Sequence, residues 1–298
     1  MSVLLAAYLS TLLRILPLVV CGLVGFIWGK RDIAYPTAFV STLVTYVAIP
    51  MLVFHTLMTT PLEAQALVIV LGASAAALLV GALIVAVLLR LFGLPVCALV
   101  QTAWIPNAGN LGLPMATLVF GAQGLTVAIA FFAVSSFLSF TLGLRWLTGS
   151  AGKVSRQPVV WATLLAIIAR WVGLSAPEWM LDSALLLGSL AVPLMLLTLG
   201  HALSQLPRSG FKAGSLVAVA RFVSGAVVAV GLLSISGLSQ DIAAPIALQM
   251  VMPCAVNSYL FARLHGTEGD ASAGGVLLST LAFIVFAPLL LWFLGATS

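Results

Sequence analysis

Charge is what this chain has least of. Asp, Glu, Lys and Arg together make up 6% of its 298 residues, against a hydrophobic share of 62%. A soluble domain carries about 25% charged residues, so the scarcity excludes a water-soluble fold. With a mean hydropathy of +1.24, the solvent for most of the chain has to be a lipid bilayer. Acidic residues are scarcer still. The seven of them, Asp32, Glu63, Glu178, Asp182, Asp241, Glu268 and Asp270, all fall in loops or at helix ends. No carboxylate relay for protons and no acidic sodium site is therefore visible inside an apolar run. The three cysteines, Cys21, Cys97 and Cys254, have neither metal nor disulfide spacing and read as small buried hydrophobes. An intramembrane enzyme would need a nucleophile beside a base or a metal cluster, and no His/Asp/Glu grouping of that kind appears. No ATP-binding motif, metal site or cofactor site is recognisable either. Residues 1–13 lack a basic n-region and a cleavage site, so the first helix is expected to be retained.

What is present is a succession of apolar segments of about 20 residues, the length that spans a bilayer. Ten are expected, at about 9–29, 36–58, 66–90, 97–120, 124–147, 158–175, 182–203, 213–236, 241–263 and 271–295. The connections are short. Lys30, Arg31, Arg90, Arg145, Lys153, Arg156, Arg208, Lys212 and Arg263 lie in or beside the odd-numbered loops, while Glu63, Glu178, Asp182 and Asp241 mark the even ones. The positive-inside rule places the odd loops in the cytoplasm and both termini on the other side. The net charge of +5 is thus a topology signal, not a nucleic-acid surface.

Laid on each other, the two halves of the chain match. Pro106-Asn107-Ala108-Gly109-Asn110 and Pro253-Cys254-Ala255-Val256-Asn257 share the form P-x-A-x-N at an offset of 147 (253 − 106). Ala48-Ile49-Pro50-Met51-Leu52 resembles Ala191-Val192-Pro193-Leu194-Met195 at an offset of 143 (193 − 50). The reading is two five-helix halves, residues 1–150 and 151–298. Five is odd, so the second half enters the membrane from the opposite side, as in the inverted repeats of many secondary transporters.

Segment four holds Pro106, Gly109, Gly112 and Pro114 within nine residues. Proline removes a backbone donor and clashes with the preceding turn, so Pro106, Gly112 and Pro114 are expected to break this helix and Pro253 to break segment nine. Unwound backbone at membrane depth survives only where protein or a cavity satisfies it. Paired broken helices in inverted halves mark a midplane binding site. Half-helix N-termini there would favour an anion, with the amides of Asn107, Asn110 and Asn257, the backbone of Gly109 and the hydroxyl of Ser258 around it.

The string Asn107-Ala108-Gly109-Asn110-Leu111-Gly112-Leu113-Pro114 resembles the N-x-G-N-x-G-L-P signature of the auxin efflux carrier family, which includes PIN-like plant carriers and bacterial malonate-transporter-like relatives. Residues 48–55, 193–200 and 252–257 are similar to its second, seventh and ninth helices. The resemblance implies an all-α membrane protein of ten helices, with helices 4 and 9 broken and crossing. Helices 1, 2, 6 and 7 would form a scaffold, through which a homodimer could form, and helices 3–5 and 8–10 a transport domain moving by elevator-type alternating access. The implied substrate is a small carboxylate, malonate or auxin-like, held at the crossover by Asn107 and, more weakly matched, Asn257. The expected location is a bacterial inner (plasma) membrane. The alternatives are a sodium-coupled symporter of the bile-acid carrier type and a non-transporting membrane sensor.

Three further residues carry open readings. Arg221, nine residues past Lys212, either snorkels to the cytoplasmic interface or offers a counter-charge to an anion. His55 and His201 either titrate in transport or are structural. The topology has a direct test. A cysteine replacing Lys153 should be labelled by a membrane-impermeant maleimide from the cytoplasmic side only, and labelling from outside intact cells would overturn the inverted arrangement.

Overall fold

A computed structural model describes residues 2–31, 33–59, 64–150, 157–206, 210–234 and 237–293. Lys153, Arg156, Arg208, Glu63 and the side chain of Arg14 lie outside the described residues. The chain is almost wholly helical. Its helices are α1 (Ser2–Lys30), α2 (Thr37–Leu43), α3 (Ile49–Thr59), α4 (Ala64–Leu91), α5 (Val96–Trp104), α6 (Leu113–Leu138), α7 (Leu144–Thr148), α8 (Pro158–Trp171), α9 (Glu178–Gly188), α10 (Ala191–Gln205), α11 (Phe211–Ser234), α12 (Gln240–Met250), α13 (Val256–Leu264) and α14 (Gly269–Phe293). Three five-residue π-helical turns, Val44–Ala48, Ala108–Gly112 and Ser139–Gly143, join α2 to α3, lead into α6, and join α6 to α7. Among the described residues, six stretches are long and apolar enough to cross a membrane: Thr37–Thr59, Gln65–Leu91, Ala108–Thr148, Glu178–Gln205, Phe211–Ser234 and Gly269–Pro288.

The positions of proline explain two of the π turns. Pro50 is the second residue of α3 and Pro114 the second of α6, each directly after a five-residue π turn. An α-helical ladder would drive the pyrrolidine ring into the carbonyl four residues back. The wider π turn takes i→i+5 bonds and moves that carbonyl aside. Pro114 and Gly112 therefore do not break the helix as the sequence suggests. The non-helical residues lie upstream, at Ile105–Asn107, and the chain from Ala108 onward stays helical to the turn at Gly121 (φ 63).

Packing follows from small residues. With no hydrophobic drive between helices in lipid, close backbone approach supplies the contact. Helix α1 lies along α10, α11 along α14, α12 and α4, and α3 along α8 and α9. Between α1 and α10 the backbones touch: a Cβ on Gly200 would stand 1.8 Å from the Gly22 carbonyl oxygen, and one on Gly25 would stand 2.1 Å from that of Leu197. The ends of this pair are tied by Lys30 Nζ donating to the Ser204 carbonyl (2.8 Å) and Gln205 Nε2 donating to the Gly29 carbonyl (2.8 Å). The tryptophans at helix ends, Trp28, Trp146, Trp161, Trp171 and Trp179, are exposed, as interfacial anchors are.

Gly200→Ala should destabilise the protein by about 1–3 kcal/mol, the range for overpacking, and lower its melting temperature by several degrees in detergent. Gly22→Ala, whose added Cβ meets nothing within 4 Å, should be nearly silent. Equal melting temperatures for the two variants would refute the close α1–α10 contact.

A candidate substrate site at the crossing of two interrupted helices

Helices α5 and α12 both stop where two extended segments meet. Past Trp104 the backbone turns extended (Ile105 φ −77, ψ 116), and past Met250 the chain reaches Ala255 (φ −69, ψ 134) before α13 begins. The segments pair antiparallel around Pro106 and Cys254. Asn107 N–H donates to the Pro253 carbonyl (2.7 Å) and Ala255 N–H to that of Ile105 (3.1 Å). Both prolines fit because neither is asked for a donor: Pro106 sits between the two bonds and Pro253 contributes only its carbonyl. The N–H of Cys254 is met by Ser279 Oγ from α14 (3.0 Å). One strand-like contact thus satisfies backbone that hydrocarbon could not.

The carbonyl ends of the stopped helices are held by one side chain. Arg221 of α11 is fully buried and donates from Nη1 to the Trp104 carbonyl and from Nη2 to that of Met250 (2.6 Å). It neither reaches an interface, as snorkelling requires, nor lines the cavity beside the crossing. Its distance from Lys212 along the chain was a poor guide, because α5 and α12 bring their ends to the middle of α11. Gln249 adds a further tie, with Nε2 donating to the Gly112 carbonyl (2.9 Å).

Beside the crossing lies a cavity of about 230 Å³. Its wall holds Pro106, Asn107, Gly109, Asn110, Asn257 and Ser258 together, six of the residues the sequence singles out. Gly109 gives it room, since a Cβ there would stand 2.9 Å from the Phe132 ring and 3.2 Å from Met195 Cε. Asn107 is 4% exposed, and its Nδ2 is buried with no hydrogen-bond partner. Asn257, two residues into α13, is exposed on the cavity side. At the two helix starts the N–H of Ala108 is taken by the Pro106 carbonyl (2.7 Å) and that of Ser258 by the Ala255 carbonyl (3.1 Å). Gly109, Asn110, Val256 and Asn257, first-turn residues whose N–H groups have no intrahelical acceptor, lie at the same wall.

Other expected residues are elsewhere. Gly112, Pro114 and Pro253 are buried behind the wall and do not line it. His55 is half-buried in α3 away from the cavity. The His201 ring stacks on Tyr35 at 4.6 Å, and the Tyr35 hydroxyl hydrogen-bonds Thr198 Oγ1 (2.8 Å), so His201 is one residue removed from the wall. Hydroxyls are what the sequence reading missed. Ser135, Ser136 and Ser139 line the cavity from α6 and its π turn, with Thr198 and Thr45 opposite. A signal existed: the three serines recur at i, i+1 and i+4 on one face of an apolar helix. Among the described residues no charged side chain is in the wall, and no cluster of His, Cys, Asp or Glu could hold a metal ion.

The family described as membrane transport protein matches residues 10–156 and 150–291. A relative named an uncharacterized transporter in Methanothermobacter thermautotrophicus is 30% identical over 204 residues, covering 64% of this chain and 66% of that protein. A second, also named an uncharacterized transporter, in Methanocaldococcus jannaschii, is 26% identical over 212 residues, 66% of this chain and 68% of its own length. The matched chain thus spans about two thirds of each relative.

In purified protein, a cysteine replacing Asn257 should react with a hydrophilic maleimide, while native Cys254, three residues away and 0% exposed, should stay unmodified. Equal modification of the two thiols would show that the cavity wall is not where the structure puts it.

Proposed function

The chain belongs to the membrane transport protein family, the auxin efflux carrier-like family, and on that premise we propose that it is a secondary carrier for a small organic anion, malonate or a related carboxylate. That it is an integral membrane transport protein and not an enzyme follows from the family itself. The observation that carries the finer reading is Asn107: a buried amide with an unpartnered Nδ2, set in a cavity wall where two helix N-termini begin. A buried donor without an acceptor costs about 1–3 kcal/mol, and a carboxylate oxygen supplies the missing acceptor.

A carboxylate leaving water needs donors already in place. The backbone N–H groups of Gly109, Asn110, Val256 and Asn257 at the two helix starts provide them, together with the amides of Asn107, Asn110 and Asn257 and the hydroxyls of the wall. The donors are neutral, so the anion is held firmly enough to enter and loosely enough to leave. Apart from residues 105–110 at the crossing itself, the wall segments extend toward loops one, five, seven and nine, the basic loops. With those loops cytoplasmic, the cavity opens inward.

The transport cycle proposed is of the elevator type. Helices 1, 2, 6 and 7 of the ten-segment reading, here α1, α2–α3, α8 and α9–α10, are the scaffold. The packing supports this division, because these helices lie chiefly along one another, while α11 lies along α4, α12 and α14. The two halves, 1–150 and 151–298, are the proposed inverted repeats, and the helices interrupted at Ile105–Asn107 and Val251–Ala255 are their crossing members. The exposed apolar face of α8 and α9, with Trp161, Ile168, Trp171 and Leu186, is the scaffold surface open to a second copy or to lipid. A bacterial inner membrane with both termini outside remains the proposed setting.

Binding of radiolabelled malonate and of a panel of mono- and dicarboxylates to purified protein tests the reading. Asn107→Ala and Asn257→Ala should each weaken binding by about ten- to a hundred-fold, the loss of one charge-assisted hydrogen bond. Neither should lower the apo melting temperature, since neither amide is tied to the rest of the fold and Asn107→Ala removes an unpartnered buried donor. Unchanged affinity in both variants would take the site away from the crossing. No binding of any carboxylate by the parent protein would end the organic-anion reading.

A further inference from the structure

Arg221 is out of reach of anything in the cavity, yet it bears on what the cavity holds. It is the one basic residue among those described that is fully buried; Lys30, Arg31, Arg90, Arg145, Lys212 and Arg263 are exposed. Among the described residues no carboxylate pairs with it: Glu178, Asp182, Asp241, Glu268 and Asp270 are all exposed. A guanidinium stays charged in a protein, and a buried charge needs compensation. Its partners are the final carbonyls of α5 and α12. Each helix C-terminus carries roughly −0.5 of an elementary charge, so the two together match the one positive charge of the guanidinium.

At the opposite ends carbonyls take some of the N–H groups, but no charged side chain among the described residues lines them. The helix from Ala108 and helix α13 start at the crossing, each with roughly +0.5 of a charge at its N-terminus. Had all four ends been left bare, the two positive and two negative ends would largely cancel at the cavity. We propose that Arg221 is a positioning residue that cancels the two carbonyl ends, and that the crossing is thereby left with a net positive field which selects anions although no cation among the described residues lines the cavity.

The surroundings of Arg221 are shaped for this contact. Gly225 lies one helical turn beyond it. A Cβ there would stand 2.2 Å from the Met250 carbonyl oxygen and 3.1 Å from Arg221 Nη2, so only glycine lets that carbonyl come down to the guanidinium. At the repeat offset of 147, the counterpart of Arg221 is Ser74 (221 − 147). Ser74 is fully buried with its Oγ unpartnered. The first half thus supplies no second cation, and a single guanidinium serves both interrupted helices.

The proposal deepens the organic-anion reading, but its test needs no substrate. A cysteine at position 257 reports the local field through its rates with two methanethiosulfonates, one bearing a sulfonate and one a trimethylammonium group. The ratio of the two rates, divided by the same ratio for 2-mercaptoethanol in free solution, measures the potential at the cavity wall. With Arg221 intact, detergent-purified N257C should favour the sulfonate reagent over that reference. Adding Arg221→Gln should lower the ratio by about tenfold, the scale of an uncompensated helix end acting on both reagents. Arg221→Lys, which keeps the charge, should retain most of the preference. Gly225→Ala, which leaves the guanidinium in place and drives the Met250 carbonyl away, gives a second route and should shift the ratio too. A parent ratio at or below the free-thiol reference overturns the proposal, as does an unchanged ratio in those of Arg221→Gln and Gly225→Ala that purify as monodisperse protein. Failure of malonate or any other carboxylate to bind would leave these outcomes untouched.

Discussion

No backbone group can stay unpaired in hydrocarbon, and the centre of this protein is arranged around that constraint. Where α5 stops at Trp104 and α12 at Met250, each interruption is satisfied by the other. The N–H of Asn107 finds Pro253, that of Ala255 finds Ile105, and the loose carbonyls of Trp104 and Met250 find one guanidinium. Neither interruption would be tolerable alone. The two motifs that match across the halves are therefore one structural unit written in two places 147 residues apart (253 − 106).

Proline and glycine do different work in that unit. Pro106 and Pro253 occupy positions from which no donor is required, and they forbid the helix from closing through the crossing. Pro50 and Pro114 follow π turns and are absorbed by helices that continue. Glycine acts by what it omits: at Gly200 it lets α1 and α10 touch, and at Gly225 it admits the end of α12 to α11. The rigid contacts and the open cavity thus come from the same economy of side chains, with small residues where backbones meet and short polar ones where a ligand could sit.

Much of this was legible in the sequence, for a physical reason. Composition and segment length report the solvent, and P-x-A-x-N repeated at one offset reports where the helices stop. What stayed hidden depended on neighbours that a one-dimensional reading cannot supply. Arg221 looks interfacial beside Lys212 until α5 and α12 are seen to end against it. Pro114 looks like a breaker because a π turn leaves no mark in sequence. Ser135, Ser136 and Ser139 look like tolerated polar residues until Asn107 is found across the cavity. Asn107, Asn110 and Asn257, singled out beside the interrupted helices, do share one cavity wall.

The buried guanidinium of Arg221 has a consequence for membrane voltage. On the proposed elevator movement, α11 travels with the crossing, and its charge travels too. One elementary charge crossing the full field exchanges about 2.3 kcal/mol per 100 mV. Counting the charge buried at membrane depth, a moving unit carrying Arg221 and a monovalent anion is electrically neutral there and indifferent to potential. The same unit is positive when empty and negative when it holds a divalent anion. Voltage then bears on opposite legs of the cycle, the return of the empty carrier or the passage of the loaded one, according to the valence of the cargo.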